Sequence, residues 1–278
     1  MSDAEIGIEF AFFESGLATQ AGCAVAQSHT RVEMEQCMTP QELFKVGKLN
    51  EAIGALNEEM RRNPTDSKAR TFLFELLCFS GEYDRAEKQL AVLSQAGGQT
   101  ELGALLYRGA LNATRARQDL FEKKQFPKPI SQEEDRGPVS GTLNGSPFQT
   151  LVDADSRIGA NLEVFAAGNY FWIPFSFLSS VELGPPKRLR DLLWIPAIIR
   201  TSPAYQEKEL GETLLPALTP LSGMSADDSV RLGRETAWEE GEDGQAVPVG
   251  QKLLLADDVE IPILEVRTLE FAAAPKAS

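Results

Sequence analysis

The residues best suited to chemistry in this chain are two aspartates one position apart, Asp153 and Asp155, followed by Arg157. Carboxylates at this spacing could bind Mg²⁺ or Ca²⁺, or act as acid and base, so a metal-dependent hydrolase is one hypothesis. We favour a structural alternative, in which the aspartates cap a tight turn, Arg157 neutralises them and Gly159 closes the turn. An EF-hand is excluded, because neither further spaced ligands nor the distal glutamate follows.

Other residues that commonly carry catalysis are scarce. The single histidine is His29, so a Ser-His-Asp or Cys-His mechanism lacks its base and a zinc site lacks its usual ligands. Neither GxGxxG nor GxxxxGK[ST] occurs, which argues against a nucleotide cofactor. Cys23, Cys37 and Cys78 form no CxxC pair, and we interpret them as reduced thiols of a cytosolic protein. We therefore predict no catalytic residue, no cofactor and no metal.

The tryptophans could form a binding surface or lie in a core, and the basic residues within 187–190 could form a phosphate site or a solvated turn. Trp172 and Trp194 lie in apolar, β-prone stretches and are expected in a core. Trp238 is a candidate for a binding surface, because aromatic residues anchor protein interfaces. The basic residues within 187–190 are expected to form a solvated turn.

The charge distribution limits the partners and divides the chain. The net charge is −14, with a pI of about 4.7. Residues 38–127 are near neutral, with 13 basic and 12 acidic residues, whereas residues 128–278 carry 13 basic and 23 acidic residues. We place a domain boundary at this change of charge, and the acidic second half argues against nucleic acid and anionic membranes. The sequence also lacks a signal peptide and an apolar run of membrane-spanning length, so we expect a cytoplasmic protein.

The elements that must position these residues begin with a repeat. The string from Gly47 to Ala52 returns, chemically, from Gly81 to Ala86, at an offset of 34 residues. This is the period of the tetratricopeptide repeat, a helix–turn–helix unit. Glycine suits the left-handed turn between two helices, and alanine suits their close approach. Because two repeats cannot cover their own apolar faces, a capping helix is needed, and we assign it to residues 99–125. Its predicted apolar side carries Leu102, Leu105, Leu106, Leu111 and Phe121.

The helical part has a clear predicted start. Thr39 is a good N-cap and Glu42 completes a capping box, with Pro40 at the first helical position. Because Met38 directly precedes this signal, we hypothesise that the native chain begins there and that residues 1–37 are a flexible extension.

The second half changes to short strands after a polar linker, which we assign to residues 128–140. Residues 38–127 are thus predicted as a helical domain and residues 141–278 as a mixed, mostly antiparallel α+β domain. The predicted strands lie at 148–152, 161–166, 170–175, 179–183, 197–201, 252–255 and 260–269. Pro174 is expected at an edge or a bend, and residues 226–240 are expected to be a loop with one helical turn.

Three motifs follow the repeat in order, and with it they resemble the ImpE family, also called SciE or TagJ. The motifs are DADSRIG (153–159), DLLWIPA (191–197) and LGRETAW (232–238). Their loops contribute the structural residues Asp153, Asp155, Arg157, Asp191, Trp194, Arg234 and Trp238. The chain departs from the family pattern in residues 1–37, and in Thr236 and Ala237, where an acidic residue tends to precede the tryptophan.

The resemblance implies a function and a fold. Members of the family are accessory proteins of bacterial type VI secretion. The fold would be a tetratricopeptide-like helical domain joined to an α+β domain. The protein would be a cytoplasmic adaptor without enzymatic activity, whose partner is the N-terminal helix of the small contractile-sheath subunit.

The residues independently predict a groove for a protein partner, since stacked helical hairpins form a concave surface that accepts a helix or an extended peptide. Counting from Ser67 as the first residue of the second repeat, the positions that usually face the groove hold Lys68, Thr71, Glu75, Cys78 and Phe79. Asn112 is a further candidate from the capping helix. We predict Phe79 as the apolar anchor, and Lys68 and Glu75 as the residues that set register. A third possibility is a scaffold whose acidic C-terminal half faces the partner.

Overall fold

The computed structural model describes residues 38–95, 98–127, 139–205, 209–241 and 244–272. Residues Thr39–Ser278 form one compact unit. The predicted extension, residues 1–37, lies outside the described residues, as do residues 128–138 of the predicted linker. The division into a helical domain and an α+β domain stays a prediction.

The first half of this unit consists of stacked helices. Five helices occur among the described residues before position 128: α1 (Pro40–Lys45), α2 (Leu49–Arg62), α3 (Ser67–Phe79), α4 (Tyr83–Ser94) and α5 (Gly98–Glu122). Each helix packs against the next one along the chain. This is the arrangement of tandem helical hairpins followed by a long capping helix, so the tetratricopeptide-like prediction is confirmed.

The local signals act as the sequence predicts. The Thr39 side chain accepts the N–H of Glu42 at 3.3 Å, and the Glu42 carboxylate accepts the N–H of Thr39 at 2.7 Å. Gly47 and Gly81 adopt φ values of +84° and +73°, which glycine tolerates without steric cost. Ala52 and Ala86 are fully buried between helices. The capping box and both repeat turns are therefore confirmed.

The predicted apolar side of α5 is wrong in its first half. Leu111 and Phe121 are buried, as predicted, but Leu102, Leu105 and Leu106 are 69%, 62% and 54% exposed. The reason is helical geometry. Leu102 lies nine positions before Leu111, and about two and a half turns of helix place the two side chains on opposite sides.

The second half is built from antiparallel strands. They are β1 (Gly141–Leu143), β2 (Ser146–Phe148), β3 (Leu151–Asp153), β4 (Asn161–Ala166), β5 (Asn169–Pro174), β6 (Leu178–Leu183), β7 (Trp194–Thr201), β8 (Glu209–Pro216), β9 (Thr236–Glu240), β10 (Ala246–Gly250), β11 (Leu253–Ala256), β12 (Val259–Pro262) and β13 (Thr268–Phe271). One sheet has the order β2-β1-β13-β6-β7-β8-β4-β5, a second has β12-β11-β3, and β9 pairs with β10. The predicted α+β class is confirmed.

Several strand predictions hold and one region differs. Pro174 ends β5, an edge strand of the large sheet, as its missing N–H requires. The region 226–240 contains the predicted helical turn, α6 (Asp228–Arg231), and also the strand β9. The predicted strand 260–269 is divided by a short 3-10 turn, Ile263–Glu265.

The main core of the second half lies on the large sheet and contains Val164, Phe175, Val181, Ile199, Leu254 and Leu269, all buried. Helix α5 packs across β4 and β5. No helix in the described ranges has the length and apolar character of a membrane span.

Candidate functional site

The DADSRIG loop forms a tight turn after β3. One Asp153 carboxylate oxygen accepts the N–H of Asp155 at 2.9 Å, and one Asp155 oxygen accepts the N–H of Arg157 at 3.1 Å. The Arg157 guanidinium also donates to both Asp155 oxygens, at 2.8 and 2.6 Å. Gly159 closes the turn with a φ of +58°. This geometry is that of a capped turn, in which aspartates satisfy backbone donors.

Asp153 belongs to a buried charge cluster, which we define as Asp153, Glu163, Lys252 and Arg117. The Lys252 ammonium contacts the second Asp153 oxygen and donates to Glu163 at 2.6 Å. Arg117, on α5, binds both Glu163 oxygens through Nε and Nη2, at 2.7 and 2.6 Å. Because Glu163 lies on β4, this bidentate pair joins the helical stack to the sheet.

Aromatic residues surround the charge cluster. The Tyr170 hydroxyl donates to Glu163 at 2.5 Å, and the indole N–H of Trp172 donates to the Tyr170 oxygen. Trp172 packs against Phe121 of α5, and the Arg157 guanidinium lies 5.0 Å from the centre of the Phe121 ring. The DADSRIG turn is thus packed against the same helix that supplies Arg117.

The pKa values show how the cluster balances its charge. Burial raises the pKa of Glu163, but Arg117 and Lys252 outweigh it and bring that pKa to about 2. Burial also raises the pKa of Asp153, to about 6, although Lys252 opposes the shift. Burial lowers the pKa of Lys252, but the two carboxylates raise it above its usual value. At neutral pH, two cations therefore face two carboxylates.

The LGRETAW region binds the first helical hairpin. Arg234 donates to the carbonyls of Phe44 and Lys45, the latter at 2.9 Å, at the C-terminal end of α1. Asp228 accepts the N–H of Leu49, the first residue of α2, at 2.8 Å. Each contact satisfies backbone groups that a helix end leaves without an intrahelical partner.

The DLLWIPA region packs on α3 and α5. Trp194 stacks on Tyr107 with ring centres 5.8 Å apart and donates its indole N–H to Thr114 at 3.0 Å. The Arg190 guanidinium lies 4.6 Å from the centre of the Tyr107 ring, and its Nε lies 3.7 Å from a Glu75 oxygen. Asp191 accepts the N–H groups of Lys187 and Arg188, which holds the turn before β7.

These contacts cover three of the six predicted groove residues. Glu75, Cys78 and Phe79 are 7%, 4% and 1% exposed. Burial raises the pKa of Glu75 to about 7, although Arg190 opposes the shift. Phe79 lines, with Trp194, a cavity of about 40 Å³ between the helices and the second half. The assignment of Phe79 as a partner anchor is therefore corrected, because the chain itself already packs on that side of α3.

The remaining predicted residues lie on three different elements, α3, α5 and β9. Lys68 and Asn112 are exposed, and Thr71 is half-buried and donates to the Ser67 carbonyl at 2.8 Å. Trp238 is 45% exposed on β9, opposite Pro248. The structure brings together Asp153, Asp155 and Arg157 in one turn.

Sequence reasoning missed Arg117, Glu163 and Lys252. A signal for such residues is a charge inside an apolar stretch of sequence. A charge buried in a strand or on a buried helix face needs an opposite charge nearby. Glu163 stands within Leu162–Phe165, and Lys252 precedes Leu253–Leu255. The sequence could indicate burial of each charge, but it could not show which charges meet.

The fold and the site together define a class of protein: an α+β protein whose tetratricopeptide-type helical stack is held to a β-rich half by buried charges and loop motifs. Protein-family comparison agrees with both halves. A tetratricopeptide repeat matches residues 43–108, and the ImpE protein family matches residues 145–270.

Individual relatives extend this agreement to most of the chain. The type VI secretion system accessory component TagJ of Pseudomonas aeruginosa is 31% identical over 274 residues, covering 87% of this chain and 94% of that protein. The X-ray crystal structure of protein VPA1032 from Vibrio parahaemolyticus has a TM-score of 0.74 at 24% identity, covering 84% of this chain and 97% of that chain. The crystal structure shows a shared fold. Because the TagJ relative is 31% identical over most of both chains, the chain belongs to the ImpE/TagJ family.

Proposed function

We propose that this protein is a cytoplasmic, non-enzymatic adaptor of a type VI secretion system, and that it binds the N-terminal helix of the small contractile-sheath subunit. The support is family membership together with a helical repeat stack, an architecture that commonly binds other proteins. The P. aeruginosa relative is described as an accessory component of such a system.

The observation that carries the proposal is that the charged side chains of the DADSRIG motif are buried and paired with other residues of the chain. Asp153 and Asp155 are 2% and 0% exposed, and their carboxylates are engaged by Lys252 and Arg157. Charges that are buried and paired in this way present no group to a substrate, and Glu163 of the same cluster joins the sheet to α5 through Arg117. We infer that the surface of the protein, and not these motif charges, contacts the partner.

The hydrolase alternative gains no support from this geometry. A metal at Asp153 would compete with the Lys252 ammonium, which already occupies the position of a cation. Within the part of the chain that the structure describes, no group of three His, Cys, Asp or Glu side chains is placed to hold a metal ion.

The groove assignment narrows to its accessible residues. Lys68, Thr71 and Asn112 remain available to a partner, whereas Glu75 and Phe79 are covered. The segment around Arg190 and Trp194 packs on Glu75 and Phe79. A partner helix could reach these two residues only by breaking the contacts of that segment.

The test is a titration of the purified full-length chain with the small sheath subunit of the same secretion system. We expect saturable binding by calorimetry, and loss of binding when the subunit lacks its N-terminal helix. The matched control is a subunit with a shuffled N-terminal helix of equal composition. Undetectable binding of the intact subunit, or equal binding of all three forms, would contradict the proposal.

A further inference from the structure

An apolar face is exposed on the first half of α5. It consists of Leu102, Leu105 and Leu106, which are 69%, 62% and 54% exposed. Their spacing of three and four positions makes them neighbours on the helix surface. We call these three residues the leucine face. Isolated exposed apolar residues are ordinary, but three adjacent leucines form a patch of the kind that marks an interaction site.

The leucine face continues an interface that already exists. On one side of α5, positions 106, 109, 113 and 117 follow one another at spacings of three or four. At Gly109 an added Cβ would lie 3.5 Å from the backbone of Gly168, in the turn between β4 and β5. Ala113 is fully buried, and Arg117 binds Glu163 of β4.

The sheet therefore covers the C-terminal half of this side of α5 and ends near Gly109. The N-terminal half of the same side carries leucines in place of the small and charged residues that meet the sheet. A second element laid along Leu102 and Leu106 would extend the packing that β4 and β5 begin.

The size of the leucine face indicates the occupant. Three leucines exposed by more than half supply on the order of 300 Å² of apolar surface. A stable dimer buries about 1,200–2,000 Å² in total, so pairing of two leucine faces is too small to hold a stable dimer of this chain, whereas an area of this size suits a weak, transient contact with a short helix. Two turns of an amphipathic helix, with apolar residues at i, i+3 and i+4, match the face in length and pattern.

Two charged residues at one border of the leucine face indicate which charges a bound helix would carry. Glu101 is exposed and Arg108 is half-buried, and both lie on the side of α5 that borders Leu105. Within the described ranges neither residue has an ion pair. A bound helix would complement them with a basic residue near Glu101 and an acidic residue near Arg108.

We propose that the leucine face is the docking surface for an amphipathic helix of another protein, and that this helix is the sheath-subunit helix of the proposed function, on which this inference rests. The leucines supply the apolar contact, and Glu101 and Arg108 set the orientation. The covered side of α3 plays no part in this contact.

The test uses the full chain with Leu102→Gln and Leu105→Gln together, titrated with the purified small sheath subunit. Glutamine is a good helix former, so α5 should keep its structure, and this is checked by circular dichroism and thermal unfolding. The matched control is Val259→Gln, since Val259 is 61% exposed on β12, far along the chain from the leucine face.

We expect the double variant to bind at least about tenfold more weakly than wild type, and Val259→Gln to bind as wild type does. Unchanged binding by the double variant, with wild type binding normally, would overturn the docking surface while leaving the proposed function intact. Absence of binding by wild type itself would overturn both. Equal weakening by Val259→Gln would also count against the leucine face, because the effect would then not be local.

Discussion

Two apolar faces of the helical stack differ in what covers them. The side of α3 that carries Glu75, Cys78 and Phe79 is packed against the chain's own segment around Arg190 and Trp194. The leucine face of α5 is apolar as well, yet the structure leaves it open. A repeat stack in a larger protein therefore does not keep every one of its surfaces for partners. The rest of the chain takes one of them for stability.

The largest effect is expected from the charges that hold the sheet against α5. Glu163→Ala leaves Arg117 and Lys252 buried with only Asp153 to oppose them. We expect a loss of about 3–5 kcal/mol in the free energy of unfolding, because a buried charge without its partner is strongly destabilising. Urea denaturation followed by fluorescence measures the change.

The control for this prediction is an exposed ion pair in the same protein. Glu58 and Arg61 are paired, with side chains 55% and 74% exposed. Glu58→Ala should cost less than about 1 kcal/mol, because solvent screens such pairs. Similar losses for Glu163→Ala and Glu58→Ala would show that the buried cluster does not hold the two halves together.

Phe79→Ala tests the covered face directly. Phe79 is 1% exposed, so truncation should leave a cavity and lower the free energy of unfolding by about 3 kcal/mol or more. The measurement is thermal and urea unfolding of wild type and variant. A variant as stable as wild type that has lost sheath-subunit binding would restore Phe79 as a partner anchor and weaken the contrast between the two faces.

A smaller and pH-dependent effect is expected at Glu75. Burial raises its folded-state pKa from 4.5 to about 7, so its contribution to stability is present below pH 4.5 and is lost as the pH rises to about 7. Glu75→Gln cannot ionise and should keep that stability. We expect the variant to gain up to about 3 kcal/mol relative to wild type as the pH rises from 4.5 to 8.

The check is the free energy of unfolding of both proteins across that pH range. Glu75 faces Arg190 and Arg188 as well as Asp191, so the comparison between variant and wild type is needed to isolate its titration. A difference that stays constant with pH would show that Glu75 is not held in a desolvated site on the covered face.

Local features of the fold were predictable wherever a short stretch contains the whole physical cause. The capping box at Thr39 and Glu42 and the glycine turns at Gly47 and Gly81 depend on neighbouring residues only. Pro174 is similar, because its missing N–H restricts it to a strand end whatever surrounds it. The aspartate turn at 153–159 follows the same rule.

Features that depend on distant contacts were harder to predict. The spacing of Leu102, Leu105 and Leu106 suggested an internal apolar side, but only the position of β4 and β5 decides where that side of α5 is covered. Strand β9 was not predicted, because the backbone pairing that defines it comes from another strand, β10. The groove residues were placed correctly on α3, but the segment that covers them lies more than a hundred positions later in the chain.

The helical repeat, the mostly antiparallel second half and the turn chemistry of the motifs follow from the amino-acid order alone, since local periodicity and backbone preference cause them. Which charges neutralise one another, and which helix face stays open to solvent, follow from the folded chain, because burial depends on residues far apart in the sequence. Arg117 and Glu163 lie 46 positions apart, and no local pattern in the sequence signals that the two side chains meet.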